Sequence, residues 1–219
     1  MPYQMRIVPQ KGSEFRKFVD GDFLKTTICD TETKAGKFWA RFNAFETGFP
    51  IISTYLPTAM QKGGPRMIHD YDGLGAVKVI SNKFKMLIEN IEPDVHQFFP
   101  LQMLDRKKNF LADHWIWNIC NRVDSVDREN TNAFLYEYDH GFMKKWRRYN
   151  DPFAPPAPEG VNPDDPVNFV FNNSQIDGYH FWRDPYRTLM NQIYVSDIAH
   201  EMLIENQINN IYFIEIPSV

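Results

Sequence analysis

The chain has 219 residues, 43% of them hydrophobic and 15% aromatic, and a net charge of −4. That length suits one domain, or one domain with an elaboration, and can bury about 70% of the unfolded surface without staples. The acidic balance argues against a general nucleic-acid binder, and the two cysteines, Cys29 and Cys120, form no CxxC pair, so neither a zinc ribbon nor a redox motif is supported; they suit free thiols in a reducing compartment, with a single disulfide between them as the alternative.

The opening residues, MPYQMRIVPQKGSEF, lack the apolar run of a signal peptide. No stretch approaches the roughly 20 apolar residues of a membrane span. The expectation is a soluble, cytoplasmic protein. Residues 1–75 mix short apolar pieces, FWARF at 38–42 and FPIISTYL at 49–56, with Gly and Pro punctuation. They read as short strands and turns, an elaboration or small subdomain ahead of a main domain at 76–219. QKGGP at 61–65 reads as a loop.

AVKVI at 76–80 reads as a strand, and Ser81 stands where a helix N-cap belongs. Phe84, Leu87, Ile88 and Ile91 then fall on one helix face, and Pro93 forces an end near Asn90. HQFFPLQML at 96–104 reads as a strand, placed at an edge or bulge by Pro100, which has no N–H for a ladder. HWIWNIC at 114–120 is the next strand. It puts Trp115, Trp117 and Ile119 on one face and His114, Ile116, Asn118 and Cys120 on the other. Residues 121–132 are polar and turn-rich, and 133–149 fit neither period cleanly.

Residues 150–166 hold six prolines and read as a stiff, exposed insertion. VNFVFN (167–172), YHFWR (179–183), QIYVS (192–196) and IYFIEI (211–216) read as strands. Ser196 is a second cap, followed by a helix face of Ile198, Ala199, Met202 and Leu203. The segments VIS…LIEN and YVS…LIEN suggest a duplicated strand–Ser–helix unit. The fold class is α+β, a mostly antiparallel sheet with a few packed helices and a less regular N-terminal segment.

Candidate chemistry is sparse. A thiol nucleophile at Cys120 needs a base within about 3 Å. His114, six residues away, stands about 20 Å off along a strand. That leaves His69, His96, His140, His180 or His200, with nothing in the sequence to choose among them. HDYDGLG at 69–75 offers Asp70 and Asp72 beside His69 for a hard cation, against a plain solvated turn. KKWRRY at 144–149 interleaves cations with aromatics, a pattern that can engage phosphates or bases but is more often a solvated charge run. There is no P-loop, GxGxxG, HExxH or GxSxG. After the strand, Arg122 has Asp124 and Asp127 as candidate partners, and Asn121 suits turn backbone.

HQFFP at 96–100, WIWNICNRVD at 115–124 and the closing FWR…IYVSD…LIEN…INNIYFIEI carry a resemblance. They resemble a family of bacterial immunity proteins from polymorphic-toxin systems, over about residues 76–216. Trp115, Trp117, Asn118, Asn121, Arg122 and Asp124 are the motif positions. The resemblance implies a binder rather than an enzyme, with no cofactor, whose partner is a cognate toxin or effector delivered by contact-dependent or type VI secretion. Its toxin-facing candidates are Asp70, Asp72, Asp164 and Asp165, as charges steering a basic toxin, and Trp146 with Tyr149 as aromatic anchors. The rival readings are a loading chaperone or adaptor for an effector, and a thiol enzyme using Cys120. Nucleic acid and membrane are not expected partners, and the oligomeric state is open.

Overall fold

A computed structural model describes residues 1–8, 16–40, 43–63, 68–138, 143–186, 188–189 and 191–219. In chain order its first elements are β1 (Tyr3–Ile7), β2 (Arg16–Phe18), α1 (Lys34–Trp39), α2 (Ala44–Thr47), β3 (Ala59–Lys62), β4 (Tyr71–Leu74) and β5 (Val77–Ser81). Then come α3 (Asn82–Ile91), β6 (Gln97–Leu104), β7 (Phe110–Asn118), β8 (Phe134–Tyr138) and β9 (Met143–Arg147). The chain closes with α4 (Asn173–Ile176), β10 (Phe181–Trp182), β11 (Ile193–Val195), α5 (Asp197–Glu205) and β12 (Ile211–Glu215).

Among the described residues three sheets form, and the class is α+β. One sheet has the order β10-β11-β1-β12 and is antiparallel throughout. The largest has the order β2-β3-β6-β7-β5-β4, with β3 and β6 its parallel pair. β8 and β9 form a hairpin of their own.

The alternation of HWIWNIC governs the core. Trp115, Trp117 and Ile119 of the predicted face meet Ile80, Phe84 and Ile88, together with Met5, Val195 and Leu203 from the other sheet and α5. Ile116 points the opposite way, into a second core of Val77, Val79 and Met103 with Phe38, Trp39 and Phe45 from α1 and α2. β7 therefore buries both faces, which explains why apolar residues dominate its sequence without a clean polar stripe. The hydroxyl of Ser81 accepts from Phe84 N, and that of Ser196 from Ala199 N. Ser81 ends β5 and Ser196 directly follows β11, each starting a helix, and α3 and α5 share one core. On α5, Ala199 and Leu203 turn inward, but Ile198 is exposed.

Several expectations change. FWARF does not form a strand: residues 38–39 end α1, whose Thr33 cap accepts from Gly36 N, and 41–42 lie outside the described residues. FPIISTYL supplies a bridge from Ile51 to Ile28 and a 3-10 turn at Ser53–Tyr55. The QK of QKGGP lies in β3, and residues 64–65 are outside the described set. Residues 1–75 contribute β1 to one sheet and β2, β3 and β4 to the other. VNFVFN is not a strand; Phe171 forms isolated bridges to Val126 and Ser218 while its ring fills a third core.

Pro100 shows how a proline fits an interior strand. β6 pairs with β7 along its whole length, Pro100 opposite Trp115. β3 covers β6 only from Gln102 to Leu104. Among the described residues no strand lies beside β6 on its other side at Pro100, so the missing N–H breaks no ladder bond there. A bulge follows at Met103/Leu104.

Candidate functional site

Of the motif residues, Trp117, Asn118, Asn121 and Arg122 meet in a largely buried knot. Glu92, at the end of α3, is 5% exposed. Its carboxylate lies 2.8 Å from His96 Nε2 and accepts from Asn121 Nδ2 (3.0 Å) and the main-chain N–H groups of His180 (2.8 Å) and Phe181 (3.1 Å). His96 Nδ1 accepts the Cys120 main-chain N–H at 3.2 Å. Asn118 donates to Phe49 O and Gln97 Oε1, and Gln97 exchanges two bonds with the Ile51 backbone. The guanidinium of Arg122 stacks 4.1 Å from the Phe49 ring centre and 4.6 Å from that of Trp39. Gly48, at φ +71°, permits that approach, because a Cβ there would sit 2.6 Å from Arg122 Cγ.

This knot ties α3, β6, β7 and β10 to the segment around residues 49–51. Among the described residues it places no histidine ring nitrogen on the Cys120 thiol. The Cys120 Sγ makes its contacts, at 3.5 Å, with Asn118 O and Nδ2. Burial pushes the thiol up to about 11, so it stays protonated at neutral pH. The histidine that comes near reaches the backbone of Cys120 and has a fully buried ring. His140 lies outside the described residues.

Other expected roles move as well. Arg122 pairs with neither Asp124 nor Asp127; it donates to Pro185 O, and burial lowers it to about 10. Asp124 instead accepts from Arg128 and Tyr186, while Asp127 caps the turn at Glu129 and Asn130. Asn121 bonds the Glu92 carboxylate and Phe181 O rather than turn backbone. Asp72 is no surface charge. At 1% exposure on β4 it lies 3.0 Å from Arg16 and 3.3 Å from Lys62. Asp70 accepts from Ser81 Oγ and Asn209, so HDYDGLG is a strand entrance rather than a solvated turn. Among the described residues no group of His, Cys, Asp and Glu is placed to hold a metal ion. Trp146, 3% exposed, packs in the third core with Val126, Phe171 and Trp182, so it presents no anchor to a partner.

The opposite face of that hairpin is different. On β8 and β9, Leu135 and Trp146 turn to the third core; on the opposite face Phe134 and Tyr136 lie half-buried beside Lys145 and Arg147, while Tyr138 and Met143 pack against the first core. Asp151, from the proline insertion, holds Arg147 through both carboxylate oxygens at 2.8 and 2.9 Å. Arg147 in turn lies 4.4 Å from the Tyr136 ring centre and 5.6 Å from that of Phe153. Phe153 is 65% exposed, and Tyr149 tilts against Phe134 at 5.6 Å. Asn150 bonds Asp164, closing the insertion on itself, and Asn162 bonds Asp165. The insertion is thus a closed loop held at its base. KKWRRY divides between core (Trp146), an ion pair (Lys144 with Glu137) and this surface. Sequence reasoning missed Tyr136, Arg147 and Phe153; the alternation FLYEY was the available signal.

The chain matches the family model described as immunity protein family (Imm11) over residues 4–218. It belongs to the Imm11 immunity protein family. The Imm11 match begins well before residue 76, where the resemblance read from the sequence starts, and takes in β1 to β4. No curated protein matches the chain. Among the described residues of this Imm11 chain, no helix is long and apolar enough to cross a membrane.

Proposed function

We propose that the protein is a cytoplasmic antitoxin of a polymorphic-toxin system, such as one using type VI secretion. It binds a cognate bacterial toxin and occludes the toxin's active site. The observation that carries this reading is the family match over nearly the whole chain. The surface that suits it is the outward face of the β8–β9 hairpin under the proline loop. Binding hot spots favour Tyr, Trp and Arg that are already held in place. Here Arg147 is fixed by Asp151 and sandwiched by Tyr136 and Phe153 before any partner arrives. A loop closed at its base by Asn150 and Asp164 loses little freedom on docking. Tyr149, Asp164 and Asp165 border this surface; Asp70 belongs to the β4 entrance instead.

Phe153→Ala is the direct test, because an exposed ring can be removed without unfolding the core. Affinity for the toxin domain of the cognate effector, measured by calorimetry, is expected to fall at least about 30-fold, as hot-spot losses do. Deleting residues 152–165 is expected to do the same or more. A dissociation constant unchanged in both variants removes the loop from the interface.

A further inference from the structure

A second exposed surface lies on the β6–β7 hairpin, beyond the reach of α3. Phe98 and Trp117 share a face with Pro100 and Trp115, then with Gln102 and Asp113, two residues further on each time. α3 covers the Trp117 end through Phe84 and Ile88. The Pro100–Trp115 end opens into a cavity of about 790 Å³, rimmed by Thr58, Asn82, Gln102 and Asp113. Its floor is held in place: Asn82 accepts from Trp115 Nε1 at 3.3 Å, and Lys85 lies 4.8 Å from the Trp115 ring centre.

The hairpin ends in the turn Asp105–Asn109, about 10 Å along the strand from Gln102. The turn is tied by Asp105, whose side chain accepts from Lys107 N and Asn109 N. Arg106, Lys107 and Lys108 are all exposed. Their side chains form no ion pair among the described residues. Three consecutive exposed cations outnumber the nearby carboxylates of Asp105 and Asp113, a marked feature in a chain of net charge −4. Acidic partners feel such a cluster over about 8 Å in physiological salt.

We propose that this groove and tip receive an acidic segment of the toxin. An apolar side chain rests on Pro100 and Trp115, and carboxylates meet Arg106, Lys107 and Lys108. The proposal rests on the antitoxin reading above, and it reverses the charge sense expected from the sequence, in which aspartates would meet a basic toxin. Pro100 has no N–H to offer an incoming strand, so the groove takes side chains rather than an added strand.

The test uses the full chain and the same effector domain. The variant R106E/K107E leaves the turn intact, since Asp105 bonds the backbone at 107 and 109. The control K25E/K37E makes an equal charge change at exposed sites elsewhere. We expect the first to weaken binding on the order of 100-fold and to flatten its salt dependence, because like charges then face each other, and the control to change it less than about threefold. Equal weakening by both, or by neither, overturns the proposal. Failure of the wild-type chain to bind the domain overturns the antitoxin reading and this surface together. A wild-type dimer in sedimentation that R106E/K107E dissolves makes a second copy the occupant, and also overturns it. Unchanged melting temperatures of both variants secure the comparison.

Discussion

Glu92→Ala is expected to destabilise the protein by about 3–5 kcal/mol, the range for stripping one partner from a buried charged network. The size follows from what the carboxylate holds. Two side chains, His96 and Asn121, and two main-chain N–H groups, those of His180 and Phe181, point at it. The His96 ring cannot turn to water, because Trp117 and Phe181, both fully buried, enclose it, and the Phe181 N–H is buried too, while Asn121 and His180 are half-buried. Alanine leaves these donors without an acceptor. Glu92→Gln should cost less but still measurably, because an amide has one accepting oxygen where four donors converge on two. Urea unfolding followed by tryptophan fluorescence reads both variants. A loss below about 1 kcal/mol in the alanine variant would mean that the knot does not hold these segments together.

Asp184 should give the largest pH effect. It is 1% exposed, and its carboxyl accepts from Tyr186 N, Ser125 Oγ and Ser125 N. Burial outweighs those bonds and pushes it up to about 7. In the unfolded chain the same group loses its proton near pH 4. Between the two values the folded state binds the extra proton, so stability falls as pH rises from about 4 to about 7 and is level above. The span corresponds to about 4 kcal/mol at most. Asp184→Asn keeps an accepting oxygen and removes the charge. Its urea midpoint, compared with wild type from pH 4.5 to 8.5, should gain ground steadily up to pH 7. Parallel curves for the two proteins would contradict this.

Much of the scaffold was legible because its signals are local. Ser81 and Ser196 announce their helices through cap chemistry, and the Phe84–Ile88 spacing names the buried face. The tryptophans of β7 alternate as read. What failed was set by distant partners. Nothing near Asp72 in sequence reveals that Arg16 and Lys62 enclose it. Residues 38–39 of FWARF are helical because Thr33 caps their helix and because Phe38 and Trp39 have a core to fill. VNFVFN has the alternation of a strand, yet only Phe171 finds bridging partners. The motif residues read as a strand and its polar exit prove to bond across the chain, Asn118 to Phe49 and Asn121 to Glu92. The exposed surfaces were harder still. A binding face differs from an ordinary one by which aromatics lie outward, and that depends on the register of Leu135 against Trp146 and on where α3 stops covering β6 and β7.

The proposed function is that this protein silences a toxin by holding on to it. The direct measurement is a titration of the purified effector domain's own activity with the purified chain, both at concentrations well above their dissociation constant. Activity falling in a straight line to zero at a fixed whole-number ratio of the two proteins is the predicted result. A stable complex in which the toxin keeps its activity would make the chain a carrier. Loss of activity at a small fraction of an equivalent would make it a catalyst. Either outcome contradicts the account.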